Sequence, residues 1–276
     1  MNDRSPFPPR SVVLPGRARL EYVDQGDPEG FPVVFLHGVT DSWRSWEPVL
    51  AHLPTWIRAL APSQRGHGES ERPADYRARD FAEDIAAFAD ALGLDRFVLA
   101  GHSMGATNAQ RFAIDHPDRV RGLILVASFA GFADNPVTEE FWSTELSRLE
   151  DPIPEALARG FQVSTLARRV PAEYLDAVVA ESLKVPARVW RACFAAFRED
   201  ECTSELGRIR APTLLIWGDR DAFARRSDQD ALLAAIEGSR LTVYAGAGHA
   251  VHWEEPRRFA EQVAAFCKAL DSGGER

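Results

Sequence analysis

Lysine is nearly missing from this chain: of 32 basic residues only Lys184 and Lys268 are not arginine, a bias of genome composition that marks no site. Basic charge as a whole is also short. Against 41 acidic residues the formal charge is −9, so no cationic surface awaits a phosphate backbone and nucleic-acid binding is excluded as a leading function. Cysteine is scarce as well. Cys193, Cys202 and Cys267 are odd in number and lack C-x-x-C spacing, which argues against a disulfide framework or a zinc site and for a reducing compartment. No run of about 18 apolar residues occurs, so no segment is expected to span a bilayer. The opening MNDRSPFPPR is polar and broken by proline, unlike a signal peptide, and a cytoplasmic location is expected. Repeats and low-complexity tracts are absent. What is present is the composition of an ordinary globular protein: 276 residues, 45% apolar and 26% charged, near the upper size for one hydrophobic core.

Short apolar runs alternate with helical patterns. The runs are PVVFLHG (32–38), WIRALA (56–61), FVLAGHS (97–103), VRGLILVAS (120–128), APTLLIWGD (211–219) and SRLTVYAG (239–246). Most are rich in Val, Ile, Leu and Phe and bounded by Gly, Pro or Asp, as strands buried on both faces of a parallel sheet should be. Between them, Phe81, Ile85, Phe88, Ala89 and Leu92 share one side of a helix over 80–92, and Phe259, Val263, Phe266 and Leu270 do so over 256–270. Such alternation predicts a parallel α/β sheet with helices on both faces. SVVLPG and ARLEYVDQGD ahead of it predict an antiparallel hairpin on one edge. From about Phe129 to Gly207 no strand is expected, and five prolines cut the sequence into short helical pieces. That length is too great for a plain loop. A helical lid over one end of the sheet is expected at 129–207, with 1–128 and 208–276 forming the core.

GHSMG (101–105) matches G-x-S-x-G. The bare pattern is weak, but here the apolar strand FVLA runs straight into it and the helical ATNAQRFAIDH follows. In that setting Ser103 sits on a sharp strand-to-helix turn that lifts its hydroxyl above the sheet, with small residues two before and two after so that the chain can bend. A serine hydroxyl needs a base. Among the seven histidines, His102 adjoins the serine and should point into packing, His52 and His116 lie in helical, proline-adjacent contexts, and His67 lies in a glycine-rich turn. His249 and His252 remain, in GAGHAVHWEEP after the last strand. His249 is favoured because its glycine neighbour suggests a mobile loop that can reach the serine; His252 should pack beneath it or line the pocket. The base needs a carboxylate partner, and TLLIWGDRDAF offers both Asp219 and Asp221 at a strand's carboxyl end. Spacing does not separate them. Backbone N–H groups of Met104 and of Val39, in HGVT, are the expected oxyanion donors.

With these pieces in order, the chain resembles the α/β-hydrolase superfamily, in the capped group that holds esterases, C–C bond hydrolases, lactonases and cofactor-free haloperoxidases or perhydrolases. FLHGVTDSW, QRGHGES, GHSMG, HPDRVRGLILVAS, PTLLIWGDRDAF and AGAGHAVHWEEP carry the likeness almost end to end. The resemblance implies an eight-stranded, mostly parallel sheet with a helical cap inserted after the sixth strand. It also selects Asp221, three residues after the strand-end glycine, over Asp219. Ser103 sets the chain apart from dehalogenase and epoxide-hydrolase cousins, whose nucleophile is aspartate. Ser63 stands where relatives often carry aspartate, a change expected to touch only local hydrogen bonding.

The expected reaction is hydrolysis of a small to medium carboxylic ester or lactone. Alternatives are C–C bond hydrolysis of meta-cleavage-type products, with Arg188 or Arg191 gripping a carboxylate, and perhydrolase or haloperoxidase chemistry; a slow ligand trap is the non-enzymatic alternative. Phe129, Trp142, Phe161, Trp190, His252 and Trp253 are expected to wall the pocket. His249-x-x-His252 with Glu254 lies in a loop and lacks the geometry of a metal site, and neither RGHG nor GAGH has nucleotide-binding spacing, so no metal or cofactor is expected. The partner is then a small molecule, and the protein a monomer or small homo-oligomer.

Overall fold

A computed structural model describes residues 6–132, 135–199 and 202–273. Eight strands form one sheet: β1 (Arg10–Val13), β2 (Arg19–Gln25), β3 (Phe31–Leu36), β4 (Ile57–Pro62), β5 (Phe97–His102), β6 (Val120–Val126), β7 (Thr213–Gly218) and β8 (Arg240–Tyr244). Their spatial order is β1-β2-β4-β3-β5-β6-β7-β8. The β1–β2 hairpin joins antiparallel at one edge, and every pair from β4 to β8 is parallel.

Successive strand residues face opposite sides, and both sides are apolar because both are covered. Leu36, Leu99 and Leu125 point to one face, against α2 (Ala78–Ala91), α3 (Met104–Asp115) and α8 (Arg226–Ala235). Phe35, Ala100 and Ile124 point to the other, against the one-turn α1 (Glu47–Leu50) and α9 (Val251–Glu254) and the long α10 (Pro256–Gly273). The helical period that Phe259, Val263 and Phe266 lay down is thus what docks α10 on the sheet.

Between β6 and β7 the chain is helical: α4 (Pro136–Thr144), α5 (Glu155–Ser164), α6 (Ala172–Lys184) and α7 (Ala187–Glu199), with short 3₁₀ turns at Leu146–Arg148 and Thr203–Arg208. Proline opens α4, and Pro154, Pro171 and Pro186 immediately precede the other three helices, where a missing N–H costs nothing. This insert has its own apolar cluster, with Trp190, Phe194 and Phe197 at its centre, and it reaches down to Val39 and Met104 on the sheet.

Candidate active site

Three non-glycine residues among those described have a left-handed φ: Thr40 at 69°, Ser103 at 53° and Ala127 at 48°. They follow β3, β5 and β6, which are neighbours, so strain gathers along one stretch of the sheet's carboxyl edge. Each such conformation costs about 1–3 kcal/mol and persists only where the surroundings impose it. At Ser103 the imposing contacts are visible. A Cβ on Gly101 would stand 2.2 Å from the Gly105 carbonyl oxygen, and one on Gly105 would stand 2.3 Å from that of Leu36. The two glycines of G-x-S-x-G therefore let β5, α3 and β3 touch through bare backbone. Ser103 N–H donates to Val126 O at 3.0 Å, while its own carbonyl accepts from Ala106 and Thr107 at the start of α3. Met104 is the first residue of that helix, so no helical carbonyl can reach its N–H.

The Val39 loop is set by His37. Gln64 N–H donates to His37 Nε2 at 2.8 Å, which leaves Nδ1 as the protonated nitrogen, donating to Gly38 O at 2.7 Å. Burial, with His67 beside it, pushes the His37 pKa well below the ordinary imidazole value, so the ring stays neutral in this role. Gly38 is glycine because a Cβ would meet His102 Nδ1 at 2.9 Å.

His249 is buried and lies against Asp221: its Nδ1 sits 2.9 Å from both carboxylate oxygens. Asp221 has a fully buried carboxylate and also accepts from the N–H groups of Phe223 at 2.8 Å and Ala224 at 2.9 Å. Asp219 faces elsewhere, accepting from Gly246 N–H on the surface. The loop carrying His249 is not free to roam, contrary to what its glycine suggested. Gly248 N–H donates to Glu254, Ala250 N–H donates to Thr165 O, and a Cβ at 248 would clash with Ala167 N at 2.6 Å. Glycine here serves close approach of the insert, not mobility. Glu254 also accepts from the N–H groups of Ala167 and Arg168, fastening insert to loop.

Ser103 and His249 line one small cavity of about 30 Å³. Val39, Phe129 and Phe161 line it too, along with Phe223 and the insert's Thr138, Thr165 and Phe194. Four residues expected at the wall are not there. Trp142 lies under the Arg198 guanidinium and packs, half-buried, against the insert's own apolar cluster. Trp190 is fully buried, edge-on to Phe161, as part of the insert's own core. His252 lies against Trp46, ring centroids 4.4 Å apart, with Nε2 3.1 Å from Ser45 Oγ, while Trp253 donates to Ser45 O and packs against Val178 and Tyr174 of the insert. Helical spacing marks an apolar residue without saying which neighbour it faces, and that is why Trp142 and Trp190 lie elsewhere. His252, expected either to pack inside or to line the pocket, packs inside against Trp46 and His102. Arg188 donates to the carbonyls of Arg72 and Pro73 on the surface. Among the described residues lining the cavity there is no Lys or Arg. Ser63, at the departure from the family pattern, donates to Glu21 and accepts from Trp43 N–H, a local tie.

One buried group escaped the sequence reading altogether. Asp41, two residues after Val39, is 3% exposed; it accepts from Gln162 Nε2 at 2.9 Å and from Ser45 Oγ at 3.2 Å. Burial raises its pKa to about 7, against the opposing pull of those two hydrogen bonds. Gln162 Nε2 is also within reach of Thr40 Oγ1 and Ser182 Oγ, so one insert side chain grips the loop that presents Val39.

Comparison with known proteins gives the family. Residues 33–262 match the model of the alpha/beta hydrolase family. The chain belongs to that family. It is 30% identical to 2-hydroxymuconate semialdehyde hydrolase of a Pseudomonas species, over 97% of this chain and 96% of that one. It is also 30% identical to 2-hydroxy-6-oxo-2,4-heptadienoate hydrolase of Pseudomonas putida, over 94% and 96%. Among solved structures, a thermophilic esterase from Thermogutta terrifontis superposes with a TM-score of 0.84 at 26% identity, covering 95% of this chain and 99% of that one. The chain is accordingly a hydrolase built on the α/β fold.

Proposed function

We propose that this hydrolase cleaves an uncharged carboxylic ester or lactone of small to medium size through an acyl-enzyme on Ser103. The observation that carries the reading is the doubly held His249–Asp221 pair opening onto the same cavity as Ser103. Asp221 fixes the proton on Nδ1, leaving Nε2 with a lone pair to take the Ser103 proton. As Oγ bonds to the substrate carbonyl carbon, the carbonyl oxygen becomes an oxyanion stabilised by the N–H groups of Met104 and Val39. Collapse breaks the bond to the alkoxy oxygen, which leaves with the proton from His249. Water then gives a proton to His249 and attacks the acyl carbon, releasing the acid and restoring the Ser103 hydroxyl. An aromatic wall without a cationic side chain among the described residues suits a neutral substrate.

A second reading is C–C bond hydrolysis, favoured by the likeness to the two Pseudomonas enzymes over nearly the full chain. Against it stands the engagement of Arg188 with surface carbonyls, away from the cavity. Turnover of p-nitrophenyl butyrate and of a ring-cleavage dienoate by the same preparation separates the readings. The ester is expected to be the better substrate, and Ser103→Ala should lower its kcat/KM by at least about 10⁴-fold. Undiminished hydrolysis in that variant would refute the acyl-enzyme, and a preference for the dienoate would transfer the assignment to C–C cleavage.

A further inference from the structure

The Ser103 cavity, at about 30 Å³, has room for no more than a water or two, so it cannot hold even a short acyl or alkoxy chain beside the reacting carbonyl. An open groove of about 410 Å³ lies next to it, between α4, α5 and the turn after Asp221, and falls in the size range of small-molecule sites. Phe161 and Phe223 line both. Their rings meet edge to face, centroids 6.2 Å apart. Phe161 and Phe223 thus stand between the Ser103 cavity and a groove open to solvent, along which Val137, Glu140, Gly160 and Ala222 are exposed.

The groove is walled mainly by apolar groups, among them Val137 and Phe141 of α4 and Leu157 of α5. Glu140 also faces it, which opposes a carboxylate there and favours a neutral occupant. Gly160 supplies an independent sign. Glycine inside a helix costs roughly 1 kcal/mol relative to alanine. Here it has neither a left-handed φ nor any atom within 4 Å of where a Cβ would stand. No backbone contact requires it. What its missing side chain does is leave the groove open.

We infer that this outer groove is the subsite for the longer apolar arm of the ester, reached from Ser103 when Phe161 and Phe223 turn aside. The inference rests on the ester-hydrolase reading and extends it to a substrate class: uncharged esters with a medium-length alkyl or aryl chain. Phe161 and Phe223 then act as specificity determinants.

Gly160→Trp fills the groove from a position where an added Cβ meets no atom within 4 Å. Two ratios of kcat/KM read the effect: p-nitrophenyl octanoate to acetate for a chain in the acyl half, and octyl acetate to ethyl acetate for one in the alkoxy half. At least one ratio should fall tenfold or more, and the half that responds identifies which arm lies in the groove. Phe161→Leu, which thins the partition, should raise the same ratio about threefold. Gly160→Leu, which also improves helix propensity, serves if the Trp variant does not fold. A binding measurement separates the subsite from the chemistry. In Ser103→Ala protein, calorimetric binding of methyl octanoate should weaken tenfold or more on adding Gly160→Trp. Esters cleaved by the wild type with both ratios and this affinity unchanged within twofold would overturn the subsite and leave the hydrolase reading intact. Affinity lost on filling the groove, in a protein that cleaves no ester, would overturn the chemistry and leave the subsite standing.

Discussion

The carboxyl edge of the sheet and the helical insert above it hold their residues in place by different means. Along the edge, backbone does the holding: left-handed turns at Thr40, Ser103 and Ala127, with Gly101 and Gly105 pressed against carbonyl oxygens. In the insert, side chains do it, through a cluster of Trp and Phe and a few polar ties such as Gln162 to Asp41. Backbone contacts tolerate one residue type, whereas an aromatic cluster can be repacked from many. A site whose chemistry is fixed at the edge and whose capacity is set by the insert can thus keep its reaction while its substrate changes.

The sharpest way to break this comparison is at the paired aspartates of the edge. Asp221→Asn should lower ester kcat/KM by about 10⁴-fold, because His249 loses the partner that sets its tautomer. Asp219→Asn, altering only the Gly246 contact, should change it less than threefold. Steady-state kinetics on the two variants decides whether the edge distinguishes carboxylates two residues apart. Next comes the backbone argument itself. Gly105→Ala gains about 1 kcal/mol of helix propensity but drives a methyl to 2.3 Å from Leu36 O, so the clash should win by at least about 3 kcal/mol. Thermal unfolding should show a melting temperature lower by about 10 °C, or no folded protein.

These two predictions fall on residues that could be read from the chain, and the reasons are physical. Strand period, the glycines of GHSMG and the turn after TLLIWG are local constraints, each written in a few adjacent residues. Asp221 itself was selected over Asp219 by family resemblance, since both lie at the same strand end. The pocket was not legible. Phe129 and Phe161 reach the cavity while Trp142 and Trp190, equally aromatic and equally well spaced, do not. Which face of α4 or α7 turns inward depends on contacts far away in sequence. Phe223 could have been suspected, lying two residues beyond the acid. Asp41 carried no signal, because a lone aspartate after a strand reads as a solvated loop until Gln162, 121 positions on, covers it.

Smaller effects should appear where edge and insert meet. Gln162→Ala removes the donor shared by Asp41, Thr40 and Ser182 and should cost about 2 kcal/mol, measured by urea unfolding. A loss near zero would mean that the insert rests on its aromatic cluster alone. Asp41 gives the pH dependence. With its pKa raised to about 7, the folded protein keeps a proton that the unfolded chain releases near pH 4. Its contribution to stability therefore falls as pH rises from about 4 to about 7 and is flat above. Asp41→Asn removes that slope. Relative to wild type, the variant should gain about 2–3 kcal/mol between pH 5 and pH 8. Subtracting the two curves also cancels the opposite trend from His102 and His252, whose burial lowers their pKa values and makes acid destabilising in both proteins.

The insert is tied down on several sides: Gln162 to Asp41, Tyr174 to the carbonyls of Arg44 and Ser45, Arg188 to those of Arg72 and Pro73, and Asn135 to that of Phe223. Swinging it away as a rigid door would break all of these at once, at roughly 1 kcal/mol apiece. Rotating two phenyl rings breaks none. Hinged doors move in microseconds to milliseconds and side-chain rotors far faster, so turnover in thickened solvent should keep its pace.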